Sequence, residues 1–108
     1  MTRTKYGNIR TTYKGRVFDS KKEAEYAMSL DSMKYARHAK ERVTKVEYQV
    51  PYPIVVKDLF IAKYIADFLV TYADGHEEIV DVKGVRTPIY ILKKKLVEAL
   101  HNIKIIEV

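Results

Sequence analysis

Residues 64–84, YIADFLVTYADGHEEIVDVKG, most strongly limit what this chain can fold into. Tyr64 to Tyr72 is almost entirely β-branched, aromatic or aliphatic, the composition of a strand. Asp74-Gly75 marks a tight turn, and Glu77 to Lys83 reads as the returning strand. Asp67, Asp81 and Lys83 interrupt this apolar hairpin. Aspartate is disfavoured in strands, and a buried charge is costly unless it is paired or bound to metal. A hairpin that served only a core would carry valines at these places.

The turn decides whether the two acids meet. Side chains alternate faces along a strand, so Ile79, Asp81 and Lys83 share one face and Ile65, Asp67 and Leu69 share one face. A two-residue Asp74-Gly75 loop pairs Ala73 with His76 and sets Asp67 opposite Val82. A three-residue loop, Ala73-Asp74-Gly75, pairs Tyr72 with His76 and sets Asp67 opposite Asp81. Both turns are common. The second is expected, with Gly75 left-handed, because it gathers the charges.

Two carboxylates and a lysine in the pattern Asp-(x)13-Asp-x-Lys suit a metal-dependent phosphodiester-cleaving site. Carboxylates are hard oxygen ligands for Mg²⁺ or Mn²⁺. Such an ion polarises a phosphate and activates water. A lysine beside it stabilises charge on the reacting phosphoryl group. On these residues alone, a surface hairpin with a cross-strand Asp–Lys pair is an equally good reading.

The rest of the chain supplies the frame. Its 108 residues suffice for a single domain, 1–108, with one modest core. Twenty Lys and Arg against fourteen Asp and Glu, a formal net charge of +6, favour polyanionic partners, nucleic acid above all. There is no cysteine, so a disulfide framework and thiolate metal sites are excluded. His38, His76 and His101 show no ligand spacing. No apolar run reaches membrane-spanning length and no signal peptide is visible, so a cytoplasmic location and no membrane partner are expected.

Residues 1–18 form a basic arm carrying Arg3, Lys5, Arg10, Lys14 and Arg16, with no acid before Asp19. Either phosphate contacts or simple solvation accounts for it, and Tyr13 with Val17-Phe18 suits a short hairpin. A first helix is expected from Ser20 to about Glu41, opened by the capping box Ser20-x-x-Glu23. Glu23 also heads the apolar stripe of Ala27 and Leu30, flanked by Tyr26 and Met33, whereas Glu25 faces solvent. A strand from Thr44 to Val50 should break at Pro51 and Pro53, with a further hairpin around Lys57-Asp58. Thr87-Pro88 starts a second helix, running to about His101 with Ile89, Leu92, Leu96 and Leu100 as its core face. Lys93 flanks that stripe, next to Lys94. Ile103 to Val108 closes the sheet. The fold class is α/β, a mixed sheet flanked by two helices.

In this order the chain resembles the PD-(D/E)XK nuclease superfamily, the restriction-endonuclease-like core. The superfamily's helix-1 glutamate, strand aspartate and (D/E)-x-K correspond to Glu23, Asp67 in YIADF, and Asp81-Val82-Lys83. Ala66 stands where the superfamily's name has proline. More narrowly, KYGN (5–8), FDSKKEAEY (18–26), YIADF (64–68) and DVKG (81–84) resemble a phage and prophage family of unknown function, DUF1064-like and endonuclease-like in character.

The resemblance implies a Mg²⁺- or Mn²⁺-dependent DNA endonuclease, structure-selective in the manner of a Holliday junction resolvase. In that reading Asp67 and Asp81, with the Val82 carbonyl, hold the metal. Glu23 holds a metal-bound water or a second ion, and Lys83 orients the attacking water. Lys93 is the auxiliary lysine, and Lys94, next in line for that role, joins the arm in binding phosphates. A homodimer in the host cytoplasm is expected, since cutting two strands takes two sites. The rival readings are a non-catalytic nucleic-acid-binding module and a phage structural or adaptor protein. If the arm touches DNA, neutralising Arg3, Lys5 and Arg10 together will weaken binding. It will also flatten the salt dependence by roughly one slope unit for each phosphate that is no longer neutralised. An unchanged slope in a salt titration assigns the arm to solvent.

Overall fold

The computed structural model describes residues 9–108. Their elements run β1 (Thr11–Tyr13), β2 (Arg16–Phe18), α1 (Lys21–Met33), β3 (Val43–Val56), β4 (Leu59–Tyr72), β5 (Glu77–Asp81), α2 (Pro88–His101) and β6 (Ile105–Glu107). The sheet order is β3-β4-β5-β6, with β5 and β6 parallel and the other pairs antiparallel. β1 and β2 form a separate ribbon. Among the described residues this is a mixed α/β arrangement of a four-stranded mixed sheet and two helices.

Local chemistry explains the joints. Lys14 and Gly15 have φ of 49° and 78°, and Lys57 and Asp58 have φ of 49° and 65°. Two successive positive φ values make the hairpin turns whose twist matches the strands they join. Ser20 caps α1, its hydroxyl accepting from Glu23 N–H at 3.1 Å. Thr87 caps α2 in the same way through Tyr90 N–H, with Pro88 in the first turn. Asn102, at φ 53° and ψ 49°, ends α2 in the left-handed conformation.

Three expectations are corrected. The first helix stops at Met33 instead of about Glu41. Beyond Leu30 its inward stripe would fall on Lys34, Arg37 and Glu41, which give the core nothing apolar to bury. The chain turns instead, and the Arg42 guanidinium donates to the carbonyls of Ala36 and Arg37.

β3 does not break at its prolines. Pro51 pairs with Ile65 and Pro53 with Lys63 in one continuous strand. β3 lies at the sheet edge, where a residue lacking N–H is tolerated.

The core face of α2 is rotated by about one residue, about 100°. Val97 is fully buried and Tyr90 and Leu96 pack around it, while Ile89, Leu92 and Leu100 are largely exposed. Polar anchors set this rotation. Tyr90 Oη donates to Glu107 Oε2 at 2.7 Å, Glu98 Oε2 accepts from Ile105 N–H at 2.8 Å, and His101 Nε2 lies 2.6 Å from the Pro53 carbonyl.

Two cores result. Ala24, Ala27 and Leu30 of α1 pack on Phe18, Val43, Phe68, Val70, Val80 and Val82. Val97 of α2 packs on Ile54, Tyr64, Ala66, Ile79 and Ile105. Along β4, Phe68 and Val70 belong to the α1 core, yet Tyr64 and Ala66, in phase with them, belong to the α2 core. The phase therefore changes at Asp67. Across from it Gln49 has φ 52°, a left-handed residue inside β3 between the pairs Tyr48–Phe68 and Val50–Ala66. Both strands pass from one core to the other at this level, as at a bulge.

The β4–β5 turn also rests on a left-handed residue. Gly75 has φ 95°, and a Cβ built there would touch nothing within 4 Å. Gly75→Ala should therefore cost about 1–2 kcal/mol from backbone strain alone. Urea unfolding measures this, and a neutral outcome contradicts the left-handed turn.

Candidate active site

The turn spans three residues. Tyr72 N–H donates to the His76 carbonyl at 3.0 Å and Gly75 N–H to the Tyr72 carbonyl at 2.9 Å. The ladder then runs Thr71–Glu77, Val70–Glu78, Leu69–Ile79 and Phe68–Val80. The next step in this register sets Asp67 across from Asp81. There the side chains replace the ladder. Asp67 N–H donates to Asp81 Oδ1 at 2.9 Å, and Val82 N–H donates to Asp67 Oδ2 at 2.9 Å. The two aspartates clasp each other's strand. Asp81 is wholly buried, and its Oδ2 is buried without a hydrogen-bond partner. The Val82 side chain is buried in the α1 core.

Glu23 reaches the same end of the sheet from the first turn of α1. It is 8% exposed, and burial together with the negative charges of Asp67, Asp19 and Asp81 pushes its carboxyl up to about 7, with Lys83 opposing. Half of its capping box is present, the bond from its N–H to Ser20. Burial likewise raises Asp67 and Asp81, each opposed by the backbone N–H it accepts and by Lys83. Lys83 is half-buried, and its ammonium rests 4.3 Å from the centre of the Tyr90 ring. Among the described residues it pairs directly with no carboxylate.

Two residues near this group carried no assigned role in the sequence. Asp19 adds charge against both Glu23 and Asp67. It lies within FDSKKEAEY, the same motif that holds Glu23. Gln49 Nε2 donates to Asp67 Oδ1 at 3.4 Å. No local signal marks it, because only the β3–β4 register brings it there. Asp19, Glu23 and Gln49 line a cleft of about 210 Å³ with Arg16, Phe18 and Tyr48. A roomier cleft of about 450 Å³, between Tyr52, Leu69, Ile79 and Ile106, shares no residue with the acidic group.

The predicted cations separate. Lys93 joins Lys83: both line a cleft of about 280 Å³ with Lys63, Tyr64, Ile65, Ile89 and Tyr90. Lys93 Nζ reaches the Lys63 carbonyl at 3.5 Å. Lys22, on α1, donates to the Lys83 carbonyl at 3.3 Å. Lys94 is occupied by Glu98 at 3.7 Å. Of the arm, Arg3 and Lys5 lie outside the described residues. Arg10 approaches Asp19 at 3.9 Å, Lys14 pairs with Asp31 at 3.1 Å, and Arg16 stacks 4.0 Å over Tyr48.

The fit to a hard cation can be tested on these atoms. Among the described residues no three acidic or histidine side chains form a ready-made metal cage. Mg²⁺ does not require one, since it keeps several waters and binds through one or two carboxylates. The orphaned Asp81 Oδ2 and the raised carboxyl of Glu23 are both groups that a nearby positive charge would satisfy. The donors are all oxygen, as Mg²⁺ and Mn²⁺ prefer. The residues present fit such an ion.

A family model described as "Protein of unknown function (DUF1064)" matches residues 3–106. No curated protein and no solved structure matches the chain. No helix among the described residues is long and apolar enough to cross a membrane.

The raised carboxyls carry a sign. A carboxyl raised on folding adds stability that is full below its unfolded value, near 4.5 for Glu23, and is lost as pH rises through about 7. The metal-free protein should melt higher at pH 5 than at pH 7.5. Glu23→Gln should flatten that difference. Parallel slopes for the two proteins in thermal melts contradict the crowding of charge at Glu23.

Proposed function

The chain belongs to the DUF1064 family, and from that premise and the geometry above we propose that it is a metal-dependent DNA endonuclease on a restriction-endonuclease-like, PD-(D/E)XK core. The observation that carries this reading is Asp81. A wholly buried carboxylate with an unpartnered oxygen, beside two more carboxylates, opposes folding. A role that needs the charge there accounts for it.

Asp81 and Asp67 would hold Mg²⁺ or Mn²⁺, with Glu23 and the Val82 carbonyl as further oxygen donors. When bound, the ion supplies Lewis-acid polarisation of the phosphodiester and offsets the negative charge of the site. Glu23, at the same end of the sheet, would hold the attacking water and take its proton. Lys83 lies within electrostatic reach of all three acids, and its ammonium rests over the Tyr90 ring. Its ammonium turns to the phosphate oxygens as charge builds there. Lys63, Lys93 and Lys22 continue a line of positive charge from Lys83 along which a phosphate backbone can run. The substrate is DNA, and a branched, structure-selective form is the preferred reading.

One observation favours a second reading. Asp67 and Asp81 already accept backbone N–H groups and so hold the hairpin end together. A nucleic-acid-binding module that keeps the aspartates only as a clasp would look the same there.

Cleavage of linear, forked and four-way DNA with and without Mg²⁺ separates the two. Nicking or cutting with the metal alone is expected. Asp81→Asn should slow it by about 10³-fold or more, several kcal/mol of transition-state stabilisation, while DNA binding persists. Mn²⁺ at ten times its Kd should raise the melting temperature by roughly 5–10 °C, and Asp81→Asn should abolish that shift. DNA binding without cleavage or metal-dependent melting selects the binding module.

A further inference from the structure

Where α1 stops at Met33, the chain makes a run of turns through residues 34–42, KYARHAKER. Four Lys and Arg stand there against one acid, Glu41, a formal +3 out of the +6 of the whole chain. This short segment thus holds half of the excess charge. Lys34 is taken by Asp31 at 2.8 Å, and the Arg42 guanidinium is turned inward to the carbonyls of Ala36 and Arg37. Arg37 and Lys40 are exposed and, among the described residues, pair with no carboxylate. Tyr35 stands among them, 89% exposed, more than any other large apolar or aromatic side chain of the described residues.

The backbone that carries Tyr35 is held in place. Tyr35 N–H donates to the Ser32 carbonyl at 3.4 Å and Ala36 N–H to the Met33 carbonyl at 3.2 Å. The N–H groups of Glu41 and Arg42 both donate to the His38 carbonyl. Asp74 N–H donates to the Ala39 carbonyl at 3.2 Å and Ala73 N–H to the Arg42 carbonyl at 2.8 Å, which ties the loop to the β4–β5 turn. An aromatic face set out on an ordered turn loses little freedom when something stacks on it.

A groove joins this loop to the acids. Lys34 lines a cleft of about 260 Å³ with Tyr13, Lys14, Arg16 and Tyr48. Arg16 and Tyr48 also line the cleft that holds Glu23 and Gln49, so the two clefts adjoin. Along α1 the rise from Glu23 to Lys34 is about 16 Å, roughly five nucleotides at 3.4 Å each.

We propose that residues 34–42 form a second nucleic-acid contact, one that takes a single strand: Tyr35 stacks on an unpaired base while Arg37 and Lys40 hold the neighbouring phosphates. Stacking on an aromatic ring tolerates any base, because every base has a π face. In a duplex those faces are covered by the adjacent base pairs. A forked DNA offers an unpaired strand beside a duplex, so this contact would favour it at the acids. The inference rests on the nucleic-acid part of the proposed function, and neither the metal nor cleavage enters it.

The test is fluorescence anisotropy with labelled oligothymidylate of about 20 nucleotides, longer than one such site, in the presence of EDTA. Tyr35→Ala should raise Kd about 10-fold or more, and Tyr35→Phe, which keeps the ring, should restore it. On a duplex of the same length Tyr35→Ala should leave Kd nearly unchanged. Arg37→Gln with Lys40→Gln should flatten the plot of log Kd against log salt by roughly 0.7 for each phosphate released. A strand carrying iodouracil should crosslink to Tyr35 on irradiation, a readout independent of affinity. All three residues are exposed, and matching thermal melts establish that the variants fold. Equal losses on single strand and duplex, or binding that ignores these substitutions, overturns the proposal. Polyglutamate that competes as well as oligothymidylate assigns the loop to polyanions at large and overturns it too. A chain that binds no single strand also overturns it, whereas the metal-dependent cleavage assay still decides the nuclease reading.

Discussion

Everything at the working end of this molecule depends on the reciprocal clasp between Asp67 and Asp81. A β-ladder normally ends where the backbone groups run out of partners. Here it ends because each aspartate takes a backbone N–H of the opposite strand at 2.9 Å. Charge-assisted bonds of this kind are stronger than the backbone pair they replace. They do not satisfy every oxygen, and burial still drives both carboxyls upward. The clasp thus holds the strands and leaves one oxygen, Asp81 Oδ2, without a partner.

The same point joins the two cores. β4 gives Phe68 and Val70 to the core under α1, and Tyr64 and Ala66 to the core under α2. A strand with strict alternation cannot do this without a break in phase. Asp67 and the left-handed Gln49 supply the break at one level. The acids therefore sit at the junction of the two cores, where Glu23 arrives on one helix and Lys83 leads towards the other. An arrangement that concentrates like charge is expected to be less stable than an apolar equivalent.

The sheet also separates two kinds of surface. Lys63, Lys83 and Lys93 line one cleft, and Lys22 reaches the Lys83 carbonyl. Beyond them the β3–β4 hairpin end is apolar and nearly uncharged.

Much of this was legible in the residues. The Ser20 and Thr87 caps and the hairpin at Lys57-Asp58 follow from local backbone preferences, whereas at Gly75 local preference allows two turns and the gathering of the charges selects the three-residue one. Counting from that turn places Asp67 opposite Asp81. Glu23 was legible as the head of a helical stripe. What escaped the sequence depends on neighbours distant in the chain. The end of α1 was set by the lack of apolar surface beneath its next turn, although its helix propensity continues. Pro51 and Pro53 lie within a strand because that strand is an edge. Gln49 meets Asp67 only through the β3–β4 register. The apolar spacing of α2 suits one face, but hydrogen bonds from Tyr90, Glu98 and His101 turned another inward. Local sequence determined which elements form and where they turn, because dihedral preferences and caps act over a few residues. Tertiary structure decided which face of each element is buried, because that depends on partners the local sequence does not contain.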